Sequence, residues 1–495
     1  KEQYVSHTPA MKIPSKKQLN ALPHSVLNFD GLRTLSAMPA KSIITFSHKI
    51  RARIMRARIL VITFYGFLLP VILLSACSTQ PPEINESMRL KLGSMMPEFR
   101  KVNPQWNDGT LEMLPSAPGT LRLLFRGNRL DNLEMLSELP IVELIFDRVE
   151  LDDLNIIAEL NLESLQIFSN TAINLNGIEH QRNLRHLSIR FLSENPCSVS
   201  LTPLSNLPLT RFTLTNAAID TPIPSLPELE NCSLDYCAGI DDFTFLLNSK
   251  KLNTLELNAC SELNLNTMPP LPIKQLSLRY SSVKNLSALN KLHNLRMLTV
   301  SEPGNLDFIR DLKLTSLTVI NSAKPLCLKP LINSDIAELE LINCPLLTVE
   351  PLAQCENLKT LNLTLNQISD ITPLSGTQIK NLFLGGNPIR NLEALTQCRL
   401  LRQLFISQCP VSSLEPLSAL PLLKNMKIEK TLIYSLEPLT RTALEEIWLS
   451  ECPISDLEPL TKIRSLKKIQ LRKLPALQNP IPKSIIAKTT VDHHE

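Results

Sequence analysis

Glycine supplies only 12 of the 495 residues, and aromatic residues make up only 4% of the chain. A glycine share of about 2.4%, against roughly 7% in ordinary proteins, excludes a collagen-like chain. Rings this scarce argue against a globular enzyme with several aromatic-lined pockets. Signatures of chemistry are missing too. The sequence has no G-x-x-x-x-G-K-[ST], no H-E-x-x-H, no G-x-S-x-G and no glycine fingerprint after a strand. The 11 cysteines include no C-x-x-C, so neither a zinc cluster nor a thioredoxin-type site is expected. His180, His186 and His293 lack a spaced carboxylate partner, and His493-His494 lacks a third ligand. No cofactor, no metal and no catalysis are expected. Charge is nearly balanced overall, with 51 Lys/Arg against 47 Asp/Glu, but it is unevenly placed. Residues 1–76 hold 11 basic and 2 acidic groups, which leaves 40 basic and 45 acidic groups for residues 77–495. Nucleic-acid binding, which needs a basic face, is therefore not expected of the body.

One apolar run stands out. Met55-Arg-Ala-Arg is followed by the apolar stretch Ile59–Leu73 and then by Leu74-Ser75-Ala76-Cys77. A short basic region, an apolar stretch and small residues before a cysteine have the layout of a secretory signal. Leu-Ser-Ala-Cys resembles the lipobox of bacterial lipoproteins, which implies cleavage before Cys77, acylation of that thiol and attachment to a membrane. Ser78 resembles an outer-membrane address, since Asp at that place favours the inner membrane in Gram-negative lipoproteins. The other reading of Ile59–Ala76 is an uncleaved membrane helix. Residues 1–54 precede this signal without clear periodicity and are expected to be a non-native or unstructured extension, with translation from Met55 and a signal over 55–76. Residues 77–87 then form a tether.

What the chain has in excess is leucine, with 94 residues, about a fifth of the total. Leucines this frequent suggest one reiterated unit, and the pattern L-x-x-L-x-L-x-x-N bears that out. Seventeen starts run from Thr120 to Leu466, at steps of 19 to 25 residues and mostly 21 or 22. Leu358, Leu361, Leu363, Asn366 and Ile368 form the clearest unit, with Ile379, Leu382, Leu384, Asn387 and Ile389 in the next. The pattern resembles the leucine-rich repeat family, and the repeat length and tails such as Ile454-Ser-Asp-Leu-Glu-Pro-Leu460 resemble its internalin-like class. That class also contains an intracellular phosphatase regulator. The resemblance covers residues 120–477. It implies a solenoid of about 17 coils, with a curved parallel β-sheet on the concave face and 3₁₀ or turn segments on the convex face. Residues 88–119, with Phe99 and Trp106, should cap the first coil, because an open end would expose the core. Residues 478–495 should close or trail from the other end. Repeats from 184 to 314 depart from the pattern, and Arg190–Ser200 is expected to be an inserted loop.

In this family the Asn side chain satisfies backbone groups of the turn that leaves the strand, and cysteine is a familiar substitute. The resemblance assigns that duty to Asn128, Asn170, Asn366 and Asn387, and to Cys237, Cys260, Cys344, Cys409 and Cys452. The other body cysteines have no spacing that demands a disulfide.

Function then falls to the strand residues that face away from the core. Those at +1, +2, +4, +6 and +7 from each start are expected to point outward. At +4, the last repeats read Phe383, Phe405, Lys427, Trp448 and Gln470. With Lys380, Arg402 and Lys424 beside them, these form the candidate partner-binding cluster, since aromatics and Arg on a rigid surface make hot spots. A secondary cluster is Arg190, Phe191, Tyr236, Arg279 and Tyr280. The expected function is a lipid-anchored bacterial envelope protein that binds a protein partner through its concave face, with a host protein as the internalin-like possibility. The alternatives are a periplasm-facing scaffold and an intracellular phosphatase regulator. Replacing Cys77 by Ala is expected to abolish incorporation of labelled palmitate; undiminished labelling would refute acylation at that residue.

Overall fold

The computed structural model describes residues 86–491 except Asn107, Asp241 and Lys488. The extension 1–54, the signal 55–76, Cys77, most of the tether and residues 492–495 lie outside the described residues. The described residues belong to one compact unit.

Each repeat delivers one strand, and from the third repeat onward it begins two residues after the start. Thr360–Asn362 follows the start at 358, Asn381–Phe383 the start at 379, and Lys468–Arg472 the start at 466. The described residues build a nineteen-stranded sheet; apart from its first and last strands, the seventeen from Leu121–Arg126 to Lys468–Arg472 run parallel, one per repeat. The chain folds as a leucine-rich-repeat solenoid. Its inward leucines stack coil on coil, with Leu361 in register between Leu339 and Leu382 and fully buried. One continuous core results, reaching from Leu92 to Ile485. Each leucine so buried contributes about 1.5–3 kcal/mol.

The return path of fifteen of the seventeen coils holds a short 3₁₀ segment with recurring chemistry. Glu350–Gln354, Thr372–Leu374, Glu415–Ala419, Glu437–Arg441 and Glu458–Lys462 each carry proline in the first turn. Proline there sets φ and needs no hydrogen-bond acceptor. A polar side chain two residues earlier often accepts from the first N–H: Asp370 Oδ1 from Thr372 at 2.8 Å, Asn391 Oδ1 from Glu393 at 2.6 Å and Asp456 Oδ1 from Glu458 at 2.9 Å.

Strand exit is the more demanding step. In fifteen of the seventeen coils the residue at +7 has a left-handed backbone, among them Gly127, Tyr236, Tyr280, Leu365, Lys430 and Lys473. A non-glycine residue pays about 1–2 kcal/mol for that conformation. In return its N–H turns toward the next coil: Leu365 donates to Gly385 O at 2.7 Å, Tyr236 to Asn258 O at 2.8 Å and Lys430 to Ser450 O at 3.0 Å. These residues are turn residues, not outward strand positions, which corrects the expectation for +7.

Directly after this turn comes the Asn or Cys position. Asn387 Nδ2 donates to Leu363 O of the preceding coil and to Leu384 O of its own, both at 2.7 Å, while its Oδ1 accepts from Ile368 N–H at 3.1 Å. Asn366 repeats this with Leu341 O, Leu363 O and Cys344 N–H. The thiols are simpler versions. Cys260 Sγ reaches Leu234 O at 3.1 Å, Cys409 Sγ reaches Leu384 O at 3.2 Å, and Cys237 and Cys344 contact Leu214 O and Val319 O. Cys452 Sγ lies 3.1 Å from Ser450 O and 3.3 Å from Thr431 Oγ1.

Asn128 and Asn170 do not join this ladder; both are exposed. Asn128 belongs to the first coil, which has no preceding repeat whose carbonyls it could serve. Trp106 Nε1 instead donates to Arg126 O at 3.1 Å there. Asn170 follows one of the two coils without the left-handed turn, where Ser164–Ser169 runs on in register with His186–Phe191. Because alternation continues uninterrupted, Ser169 and Phe191 turn inward. Phe191 is buried, which removes it from the secondary binding cluster. The expected loop Arg190–Ser200 contains a strand, Cys197–Val199, that pairs parallel with Ala217–Ile219. A similar small pairing joins Leu263–Asn264 to Val283–Lys284 within the irregular repeats.

At the start of the solenoid stands the helix Glu86–Val102, which takes in the last residues assigned to the tether. Phe99 and Trp106 are fully buried, with their rings 6.0 and 5.7 Å from that of Phe125. Gly109 is forced to be glycine, since a Cβ would lie only 2.0 Å from the Trp106 ring. Thr110–Leu114 then pairs antiparallel with the first coil strand. Asn103, buried, binds this cap to the first coil: Nδ2 donates to Asn132 O at 2.8 Å and Oδ1 accepts from Asp131 and Asn132 N–H at 2.9 Å. At the other end Thr489–Val491 adds a parallel strand, and Ile485 of the short helix Lys483–Ile486 is buried.

Removing a buried group that serves three backbone partners leaves their polar atoms unsatisfied, at about 1–3 kcal/mol each before relaxation. Asn387→Ala is therefore expected to destabilise the protein by about 2–4 kcal/mol, and Asn128→Ala or Asn170→Ala by less than about 0.5 kcal/mol. Denaturant melts of the three variants check this ordering.

Candidate functional site

Strand alternation leaves the +2, +4 and +6 residues of each coil on the outer sheet face, and parallel register stacks them into columns. The +4 column runs Asn362, Phe383, Phe405, Lys427, Trp448, Gln470 through the last six coil strands. Farther up it is Gln166, Ser188, Thr213, Ser233, Glu256 and Ser277, small or polar throughout. The aromatic rings are therefore gathered at the C-terminal end of the face.

These rings are half-buried against one another. Phe383 and Phe405 meet edge to face, with centroids 4.9 Å apart and planes at 86°. Phe405 and Trp448 lie 5.8 Å apart and tilted by 38°, although Lys427 stands between their strands. Lys427 Nζ sits 5.7 Å from the Trp448 ring centroid and 3.1 Å from Glu429 Oε2, so its charge is already engaged. Trp448 Nε1 and Ser450 Oγ are shielded from solvent and have no hydrogen-bond partner. Such donors cost about 1–3 kcal/mol each.

The flanks differ. On one side the +6 residues Thr364, Gly385 and Ser407 are small, and a Cβ on Gly385 would lie 3.3 Å from Ser407 O. On the other side the half-buried amides Asn381, Gln403 and Asn425 form the +2 column. Beyond them at +1 stand Lys359, Lys380, Arg402, Lys424 and Lys467, with Glu445 interposed. Backbone bonds from each +1 N–H to the carbonyl one coil earlier, 2.7 Å from Lys380 to Lys359 and from Arg402 to Lys380, hold this column in line. Glu445 bridges Lys424 at 2.6 Å and Lys467 at 2.5 Å. Hydrogen bonds from Lys424 and then Lys467 hold its carboxyl down at about 2.

The secondary cluster assembles only in part: Arg279 and Tyr236 both lie near enough to Tyr280 to act on its phenol, whereas Phe191 is buried and Arg190 stands apart. Arg190 and Arg279 are exposed in the same +6 column but four coils apart, about 19 Å at the usual strand spacing. Tyr236 and Tyr280 sit on left-handed turns of alternate coils; the first is half exposed, and burial raises the phenol pKa of the second. Between the two ends of the sheet lies a feature missed in the sequence. Glu256 and Glu340, both on the +4 column, are pushed above the usual carboxylate range, chiefly by burial.

The thiols offer little chemistry. The ten described cysteines are unpaired, and all except Cys197 and Cys327 are buried. Burial pushes Cys232 and Cys344 up to about 12 and Cys260 and Cys409 up to about 11, which keeps them protonated and poor nucleophiles. Cys355 and Cys398 form a second ladder, also missed. Their thiols lie 3.3 and 3.2 Å from Leu331 O and Leu374 O of the preceding return segments. Ser249 does the same toward Leu226 O at 2.9 Å.

The sequence matches no family model and no curated protein. Among solved structures the chain is similar to the mouse RP105/MD-1 complex, at 18% identity over 72% of this chain and 68% of that one, with a TM-score of 0.52. An internalin of Listeria monocytogenes matches at 21% identity over 62% of this chain and 86% of that one, with a TM-score of 0.43. A leucine-rich-repeat protein of Leptospira interrogans matches at 19% identity over 74% and 99%, with a TM-score of 0.45. At these identities the likeness is one of fold.

The chain has only two tryptophans, and Trp106 is fully buried in the cap. Acrylamide is therefore expected to quench only the Trp448 share of the native emission, and Trp448→Phe to leave a blue-shifted, unquenched remainder. A remainder that is still quenched would place Trp106 in contact with solvent.

Proposed function

We propose that this chain is a binding protein whose partner, another protein, docks on the sheet face of the last coils, around Phe383, Phe405 and Trp448. The observation that carries the reading is the packed row of half-buried rings at one end of a column that is small or polar from Gln166 to Asn362. Rigid aromatic anchors bordered by Arg and Lys have the composition of binding hot spots. The sheet holds them in place through backbone bonds on both sides, so binding need not order them first. Lys380, Arg402 and Lys424 border the row, while Lys427 orients Trp448 from within it. The finer reading joins this face to the leader: acylation of Cys77 would tether the solenoid to a bacterial membrane, the outer one by the residue that follows, and present the face to an envelope or host protein.

Phe383→Ala, Phe405→Ala and Trp448→Ala combined should leave the inward core intact and weaken partner capture by about thirtyfold or more, since one central hot spot is typically worth about 2 kcal/mol. Ser188→Ala, on the same column far from the rings, should have no effect. The measurement is recovery of a cross-linked adduct from cells that carry the full chain, at matched melting temperatures. An adduct undiminished in the triple variant would move the site away from this face.

A further inference from the structure

The proposed binding face carries positive charge that its own fold leaves unused. Lys359, Lys380 and Arg402 occupy the same position in three successive coils, and among the described residues no ion pair engages their side chains. Lys424 and Lys467, which continue the column, share Glu445. Residues 77–495 as a whole carry 40 basic and 45 acidic groups, so composition does not explain a basic column here. Like charges one coil apart, about 5 Å in backbone spacing, repel one another until a counter-charge arrives.

The rows on this face define what fits. Carboxylates would meet the cationic column, and a peptide backbone would bond to the amides of Asn381, Gln403 and Asn425. Apolar side chains would rest on the ring edges, above the low floor of Thr364, Gly385 and Ser407. We propose that the partner segment bound here is an acidic peptide with interspersed apolar side chains. A glycan fits less well, because sugars stack on flat, open ring faces. Phe383 and Phe405 meet at 86°, and Lys427 stands over Trp448, so the row presents edges. This inference rests on the proposed binding face and adds the chemistry of its partner.

The test is titration of the full chain, followed by Trp448 emission, with short synthetic peptides of fixed leucine and phenylalanine content. Their charged positions are either all Glu or all Lys; polygalacturonate serves as an acidic glycan probe. The Glu peptide is expected to bind, more weakly at high salt, and the Lys peptide and polygalacturonate are not. Lys359→Glu, Lys380→Glu and Arg402→Glu combined should weaken the Glu peptide by about tenfold or more. Glu445→Gln releases Lys424 and Lys467 and should tighten it, a gain that a misfolded variant could not imitate. Equal binding of the two peptides, binding of polygalacturonate alone, no peptide binding, or no gain from Glu445→Gln would overturn the inference. Adduct formation that is lost in the triple aromatic variant but kept in the triple charge reversal overturns the acidic partner alone. Adduct formation kept in both overturns the binding face as well.

Discussion

Everything in this solenoid depends on ending a β-strand at the same point in each coil without leaving buried backbone groups unpaired. A strand only three to seven residues long must stop, turn and hand its hydrogen bonds to the next coil. Two adjacent residues do this. The first adopts a left-handed backbone that aims its N–H at the following coil. In most coils where the second is a buried asparagine or cysteine, and at Ser281, it reaches back to carbonyls of the preceding coil. Asparagine serves donors and acceptors together, whereas a thiol serves carbonyls alone, so the two are not equal substitutes. The backbone strain at the first residue is tolerated because its N–H gains a partner in the following coil, and where the second residue is buried and bonded it adds a further hold.

This exit turn also composes the outer face. By resetting alternation at the same point in each coil, it keeps outward residues aligned in columns that cross the strands. The effect shows most clearly where the turn is missing. Ser169 and Phe191 continue the alternation and point into the core, and the coils around them acquire an extra strand pairing. A column can carry a property that no single repeat has. The aromatic row and the basic row are both of this kind, and each draws its members from repeats about twenty residues apart.

The two rows differ in how they are held. The rings pack on one another and gain both burial and edge-to-face attraction, about 0.5–1.5 kcal/mol per pair beyond area alone. The cations gain nothing from one another, and only where Glu445 intervenes are they neutralised within the chain. An aromatic row settled by its own packing beside an unsettled cationic row makes this end of the sheet differ from the N-terminal end. There Arg122 and Arg126 are already paired with Glu143, Glu112 and Asp147.

Periodicity alone was enough to establish the repeat, the number of coils, the inward leucine pairs and the columns to which Phe383, Phe405 and Trp448 belong. These follow from spacing within one unit, and a leucine at a fixed interval buries itself in the same way in each coil. What depends on neighbouring coils was not legible in that spacing. Asn128 and Asn170 have the ladder residue at the ladder position but are exposed, because one lacks a preceding coil and the other lacks the left-handed turn. Phe191 turns inward for that same missing turn. Cys355, Cys398 and Asn103 serve carbonyls or N–H groups that only the stacked chain brings within reach. The division between Lys424, which is paired, and Lys380, which is not, was settled in the same way. A local pattern determines which way a side chain points, and only the assembled stack determines what it meets there.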